Sequence, residues 1–256
     1  MKLALLSDIH SNRQALDACL QHARAHGADH FALLGDLVGY GADPAYVVQQ
    51  AMDLVAAGYT VIGGNHDAFA VQPPAGTDKG AHSMAAQGAL WTHEQLSPEQ
   101  RSFLAHLPLT AQVGGVLLVH ASAEAPENWR YVDNEIVAAE CLEAATKHPG
   151  VQHVFCGHVH HQTLYYRGAG RGLMRFTPTA GVPVPVPPHR QWVGTVGSVG
   201  QPRDGDPRAM YALLDTDHWH LRFERVPYAV ADAAAAILAT GGALPASFAH
   251  RLEVGR

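Results

Sequence analysis

KLALLSDIH, residues 2–10, decides the fold. Its apolar run reads as a short strand of the buried type, and it ends in two residues able to bind a metal or move a proton, Asp8 and His10. A helical segment follows, with Ala15, Leu16, Cys19, Leu20 and Ala23 on one face at helical spacing and Gly27 as its stop. HFALLGD (30–36) repeats the strand, ending in Asp36. Asp43 and Pro44 then read as a cap and a first-turn proline for a helix to about Ala57, which Gly58 ends. YTVIGGNHD (59–67) is the third run, ending in Asn65, His66 and Asp67. Strand–helix–strand–helix–strand predicts an α/β architecture with parallel strands near the N-terminus.

Residues 68–112 read differently. Residues 72–76, QPPAG, read as loop and 80–95 as helix. Ser97, Pro98 and Gln100 form an N-cap, first-turn proline and capping-box signature for a helix ending by Pro108. This is a helical excursion beside the main sheet, either packing or a lid. VLLVH (116–120) and HVFCGHVH (153–160) return to strand character, ending in His120 and in His158 and His160. Between them, residues 133–147 read as a helix with Asp133 as cap. Five β-rich pieces follow, within residues 164–226, and predict antiparallel hairpins in a second sheet. The prolines of VPVPVPPH (182–189) confine it to an edge or a linker. Two short helices, from Ala229, close the chain. The 256 residues show no repeat and no convincing boundary, so residues 1–256 are read as one domain.

Composition narrows the function. Hydrophobic residues make up 47% and charged residues 16%, which is globular. A net charge of -6 argues against a general binder of nucleic acid or anionic membrane, but not against an acidic substrate, because bound metals reverse the local field. Three widely spaced cysteines, Cys19, Cys141 and Cys156, suggest neither a disulfide framework nor a CxxC site. The apolar N-terminal stretch is too short for a signal peptide, and no run approaches a membrane span. A cytoplasmic setting is the expectation. Composition leaves an oligomer open.

Five apolar runs thus end, in order, in Asp8 and His10, Asp36, Asn65 with His66 and Asp67, His120, and His158 with His160. One such Asp is more often a helix cap, and one His-x-His pair is more often a solvated coincidence among 18 histidines. The ordered series is hard to explain that way. Sheets of this class bind ligands outside the carboxyl ends of their strands, where these residues would converge. Carboxylate, imidazole and amide oxygen together suit Mn, Fe or Zn. Two ions about 3.5–4 Å apart can hold both the attacking and the leaving oxygen at phosphorus and lower the pKa of a bridging water to give hydroxide.

These motifs resemble those of the calcineurin-like metallophosphoesterase superfamily. SDIHSN (7–12), LGDLVGYGADP (34–44), GNHD (64–67) and GSVGQPRDGDPRA (197–209) are similar to its small bacterial and archaeal phosphodiesterase branch. The resemblance implies a four-layer αββα sandwich with two mixed sheets flanked by helices. It implies a first divalent ion on Asp8, His10, Asp36 and His160, and a second on Asp36, Asn65, His120 and His158. It places His66 beside the scissile group, with Asp67 orienting it. The branch carries Asn-Pro where this chain has Thr195 and Val196. The turn at Gly197, Ser198 and Gly200 either offers backbone N–H groups to an anion or positions the sheet. Arg13, Arg203 and His189 are candidate substrate residues; Arg203 could equally pair with Asp204 or Asp206, and Arg13 could be a first-turn helix residue. The expected substrate is a small phosphate ester or nucleotide, hydrolysed as a diester, with a dinucleoside polyphosphate or a phosphoprotein as alternatives. The different-class alternative is a metal-holding scaffold without activity.

Overall fold

The apolar residues of β1 (Lys2–Leu6) are all buried. Side chains alternate along a strand, so Leu3 and Leu5 face one way and Ala4 and Leu6 the other. Each face therefore needs a covering layer. Ala4 and Leu6, with Phe31 and Leu33 of β2 (His30–Leu34), pack against α1 (Arg13–Ala25) and α2 (Pro44–Ala56). Leu3 and Leu5, with Ala32 and Leu34, pack against a second sheet. We describe a computed structural model over residues 1–73, 81–168 and 172–256.

The first sheet has the order β3 (Thr60–Ile62), β2, β1, β11 (Ala209–Asp215), β12 (His220–Val226) and β9 (Pro183–Pro185). β1, β2 and β3 are parallel, joined through α1 and α2, and β11 runs antiparallel to β1. The second sheet has the order β4 (Thr110–Val113), β5 (Val116–Val119), β6 (His153–Cys156), β10 (Trp192–Val196), β7 (Gln162–Arg167) and β8 (Leu173–Phe176). β5, β6 and β10 are parallel, and β4, β7 and β8 are antiparallel to their neighbours. Leu118, Phe155, Leu164 and Val196 face the first sheet. Leu117, Val119, Val154 and Cys156 face outward onto α6 (Glu135–Ala145). Helix, sheet, sheet, helix is the expected four-layer sandwich. Among the described residues no helix is long and apolar enough to cross a membrane.

Several expectations shift. The excursion consists of α3 (Asn65–Val71), α4 (Ala81–Gln95) and α5 (Pro98–Ala105), and it ends before residue 112, because β4 occupies Thr110–Val113. The loop read at 72–76 lies, past residue 73, outside the described residues. The cap of α6 is Asn134, not Asp133: its side chain accepts from the N–H groups of Ile136 and Val137. β11 and β12 extend the first sheet, not the second, because β11 pairs along β1. The prolines of 182–189 place β9 at an edge, as an absent N–H requires. α7 (Val230–Leu238) and α8 (Ala246–Val254) pack against each other and against Tyr40.

Candidate metal centre

The parallel strands of both sheets send their carboxyl ends to one edge. There the backbone leaves the extended form of the strands. Asp8, His10, Asp36, His158 and His160 all lie in the left-handed region, with φ of 53°, 50°, 51°, 66° and 58°. Asp and His tolerate this conformation better than most residues, and such positions cluster at functional sites.

The carboxylates serve two purposes. Asp8 Oδ2 accepts from the N–H of His158 at 2.9 Å, and Asp36 Oδ1 from the N–H of His66 at 2.8 Å. Each aspartate thus ties its own loop to that of another motif. The close approach requires glycine: a Cβ on Gly157 would collide with Ser7 Oγ and Asp8 Oδ2, and one on Gly64 with Asp36. The other oxygens, Asp8 Oδ1 and Asp36 Oδ2, are buried without a hydrogen-bond partner among the described residues, as are Asn65 Oδ1 and His120 Nε2.

Backbone carbonyls orient three imidazoles. His10 Nδ1 lies 3.1 Å from Val38 O, His120 Nδ1 2.8 Å from Leu34 O, and His160 Nδ1 2.6 Å from Gln201 O. A carbonyl only accepts, so each Nδ1 carries hydrogen, and a neutral ring presents the Nε2 lone pair inward. His10 and His160 Nε2 face each other at 3.2 Å. His160 Nε2 is 3.2 Å from Asp8 Oδ1, and His120 Nε2 is 3.3 Å from Asp36 Oδ2. Two clusters result, Asp8–His10–His160 and Asp36–His120–His158, each with ligand atoms within 4.8 Å of one another. Asp36 Oδ2 is also 3.8 Å from His10 Nε2, so it lies between them. Orphaned oxygens and lone pairs converging in a buried space fit divalent cations and little else.

The electrostatics agree. Burial opposes charge on Asp36, but the imidazoles, His120 foremost, hold its carboxyl well below the usual range. Burial also opposes charge on His120, and the Asp36 carboxylate outweighs it, pushing the ring up to about 9. Burial pushes His158 down to about 4 and lowers His66.

The remaining candidates divide. Asn65 opens α3, and its side-chain oxygen is buried without a hydrogen-bond partner among the described residues. The ring of His66 lies against His10 at 5.0 Å, Tyr40 at 4.6 Å and Phe69 at 5.8 Å between centroids. Among the described residues Asp67 makes no hydrogen bond to the His66 ring. Its Oδ1 accepts from Leu37 and Val38 N–H and its Oδ2 from Gly64 N–H, so it caps α3 and holds the loop after Asp36. Burial, with the Asp36 charge, pushes its carboxyl up to about 7 against those donors. Arg203 lies near enough to Tyr40 and His66 for its charge to act on both, and its Nε and Nη2 donate to Gln201 Oε1 at 3.3 and 2.8 Å. Arg13 is exposed, 4.4 Å over the Tyr46 ring and 3.7 Å from Asp17, away from the centre. His189 is exposed before β10, at the end of the sheet opposite to the ligands. The turn at 197–200 positions the sheet: its Val199 and Gly200 N–H groups and Ser198 Oγ donate to the carbonyls of Ser7 and Asp8, leaving none of them for an anion. Thr195 Oγ1 donates to His161 O at 2.7 Å, holding the loop of His158 and His160.

Three aromatic residues were not legible. Tyr40 lies inside the Asp36 motif, where no spacing or pattern sets it apart. Trp129 and Tyr131 lie in a loop without periodicity, and only their contacts with His120 and His158 mark them.

Residues 1–218 match the calcineurin-like phosphoesterase superfamily domain. An uncharacterized protein of Methanocaldococcus jannaschii is 30% identical over 99% of this chain and 98% of its own. The crystal structure of a metallophosphoesterase from Sphaerobacter thermophilus is similar with a TM-score of 0.84, at 32% identity, over 100% of both chains. A hypothetical protein from Pyrococcus horikoshii shares the fold with a TM-score of 0.74, at 20% identity, over 100% of this chain and 98% of that one. With a domain match over most of its length and two candidate metal clusters at its strand ends, this chain belongs to the calcineurin-like phosphoesterase superfamily, as a metal-dependent hydrolase of phosphate esters.

Proposed function

We propose that this protein hydrolyses phosphodiesters of small, nucleotide-like molecules at a dinuclear centre of Mn, Fe or Zn. The observation that carries the reading is the placement of Asp36 Oδ2, 3.3 Å from His120 Nε2 and 3.8 Å from His10 Nε2, between the two clusters. The first ion would rest on Asp8, His10, Asp36 and His160, and the second on Asp36, Asn65, His120 and His158. When bound, two such ions supply Lewis acidity at the attacking and leaving oxygens and an activated water.

The residues around them have separate tasks. Asp36 bridges. His66, packed on His10 and Tyr40, would stabilise phosphate charge or give a proton to the leaving oxygen. Arg203, hydrogen-bonded to Gln201, would donate to a phosphate oxygen. The preference for small diesters rests on the resemblance of residues 7–12, 34–44 and 197–209 to that branch.

The test is a hydrolysis screen of Mn-loaded protein over mono-, di- and cyclic phosphates, dinucleoside polyphosphates and phosphopeptides. The expected outcome is the highest kcat/KM on diesters. Turnover chiefly of dinucleoside polyphosphates or phosphopeptides would replace the substrate assignment. Inertness of the two-ion protein toward every ester would overturn the catalytic reading. Metal analysis of Asp36→Asn is expected to find both ions lost, and two retained ions would refute the bridge.

A further inference from the structure

The cluster Asp36–His120–His158 has an aromatic margin drawn from one loop. Tyr131 stacks on His158 with ring centroids 4.0 Å apart and planes at 20°. Trp129 meets His120 edge-on at 5.9 Å. Tyr131 nevertheless remains 49% exposed, so one face of its ring covers His158 while the other faces solvent. A large aromatic face left open beside a polar centre is available to a ligand.

The loop is built to hold that face still. The N–H of Ser122 donates to Arg130 O, and that of Ala123 lies 3.3 Å from Cys141 Sγ in α6. The Arg130 guanidinium pairs with Glu124 at 3.1 Å and with Glu140 of α6. Val132, which follows Tyr131, is buried against α6. Trp129 lies in the left-handed region at φ 53°, which a bulky residue adopts only where its surroundings hold it there. A strained, doubly anchored loop that ends in an exposed ring is costly as mere cover for His158. It is well suited to a rigid stacking platform.

We propose that Tyr131, flanked by Trp129, is a specificity-determining residue that stacks a nucleobase of the substrate, so that the diester cleaved is a nucleotide ester. This rests on the function proposed above. Stacking fits the chemistry because every base has a π-face, and its loss typically costs a factor of roughly ten to a hundred in affinity. The Tyr131 hydroxyl is not required, but the flat ring is.

The test compares two diesters whose leaving alcohols have similar basicity, adenylyl adenosine and glycerophosphoglycerol, so that their ratio reports recognition. In Mn-loaded wild type the ratio of kcat/KM should favour the nucleotide. Tyr131→Leu should lower that ratio roughly tenfold or more, and Tyr131→Phe should keep it within about twofold. Equal losses on both diesters would assign Tyr131 to support of His158 alone, and an unmoved ratio would likewise overturn the proposal. Calorimetric binding of AMP against ribose 5-phosphate gives a readout independent of turnover. AMP should bind more tightly, and Tyr131→Leu should remove the preference. If wild type cleaves neither diester yet prefers AMP through Tyr131, the substrate reading fails and the platform stands. If it cleaves diesters with no dependence on Tyr131, the platform fails and the reading stands.

Discussion

At the scale of single residues, His66 and His120 separate catalysis from metal holding. Among the described residues the His66 ring makes no ion pair with either carboxylate, and its bond to Asp36 is through its backbone N–H. His66→Ala should therefore lower kcat by roughly a hundredfold to ten-thousandfold while the bound metal stays at two ions, read by steady-state kinetics and metal analysis. An unchanged kcat would remove His66 from the chemistry. His120 predicts a pH dependence. With its ring pushed up to about 9 by Asp36, the metal-free protein carries a proton there at neutral pH. A divalent ion needs the neutral ring, so binding releases that proton. Affinity at this cluster should fall about tenfold per pH unit as pH drops below about 9, and calorimetry in buffers of different ionisation enthalpy counts the proton. A pH-independent affinity between about 7 and 9 would contradict this account. Asp67 shows why residue roles were harder to read than residue identities. A carboxylate next to an imidazole in sequence suggests an orienting pair, but Gly64 and Asp67 also stand at N-cap and N3 spacing. In the fold the capping role wins, because α3 begins at Asn65 and needs its first N–H groups satisfied.

At the scale of elements, periodic segments were legible and context-dependent ones were not. The apolar face of α1, its stop near Gly27, and the capping box of α5 follow from local rules, and all appear. β4 was missed because Thr110–Val113 is a half-exposed edge strand with no strong alternation. The sheet that holds β11 and β12 is not legible locally, because hairpin signals give local pairing and not which sheet accepts the hairpin. The α6 cap differs by one residue, and that difference is testable. Asn134 accepts two first-turn N–H groups, whereas the Asp133 side chain accepts only from the Asn134 amide among the described residues. Asn134→Ala should cost about 1 kcal/mol in chemical denaturation. Asp133→Ala should cost less than about 0.5 kcal/mol, as for a surface substitution. The reverse order would return the cap to Asp133.

At the scale of the whole molecule, the site is a clip between the two sheets. Asp8 and His10 follow β1 of the first sheet, while their cluster partner His160 follows β6 of the second. Asp36 follows β2 of the first sheet, while His120 and His158 follow β5 and β6 of the second. Neither cluster survives separation of the sheets, so the unfolded chain binds the ions far less well than the native one. Each ion at about a hundred times its Kd should then add about 2.7 kcal/mol to global stability. For a chain of this size that corresponds to a rise in Tm of roughly 5–10 °C, reversed by chelation. The location of the effect matters as much as its size. If the ions bridge the sheets, amide exchange should slow by the same factor in Phe31–Leu34 of β2 and in Val154–Cys156 of β6, because exchange from both cores proceeds through global opening. Protection gained only in the loops at 36–41 and 157–161 would mean that the ions tighten the rim without holding the sheets together. The buried, mutually anchored carboxylates of Asp8 and Asp36 favour the first outcome: each already binds the backbone of another motif, and Asp8 does so across the sheet boundary to His158.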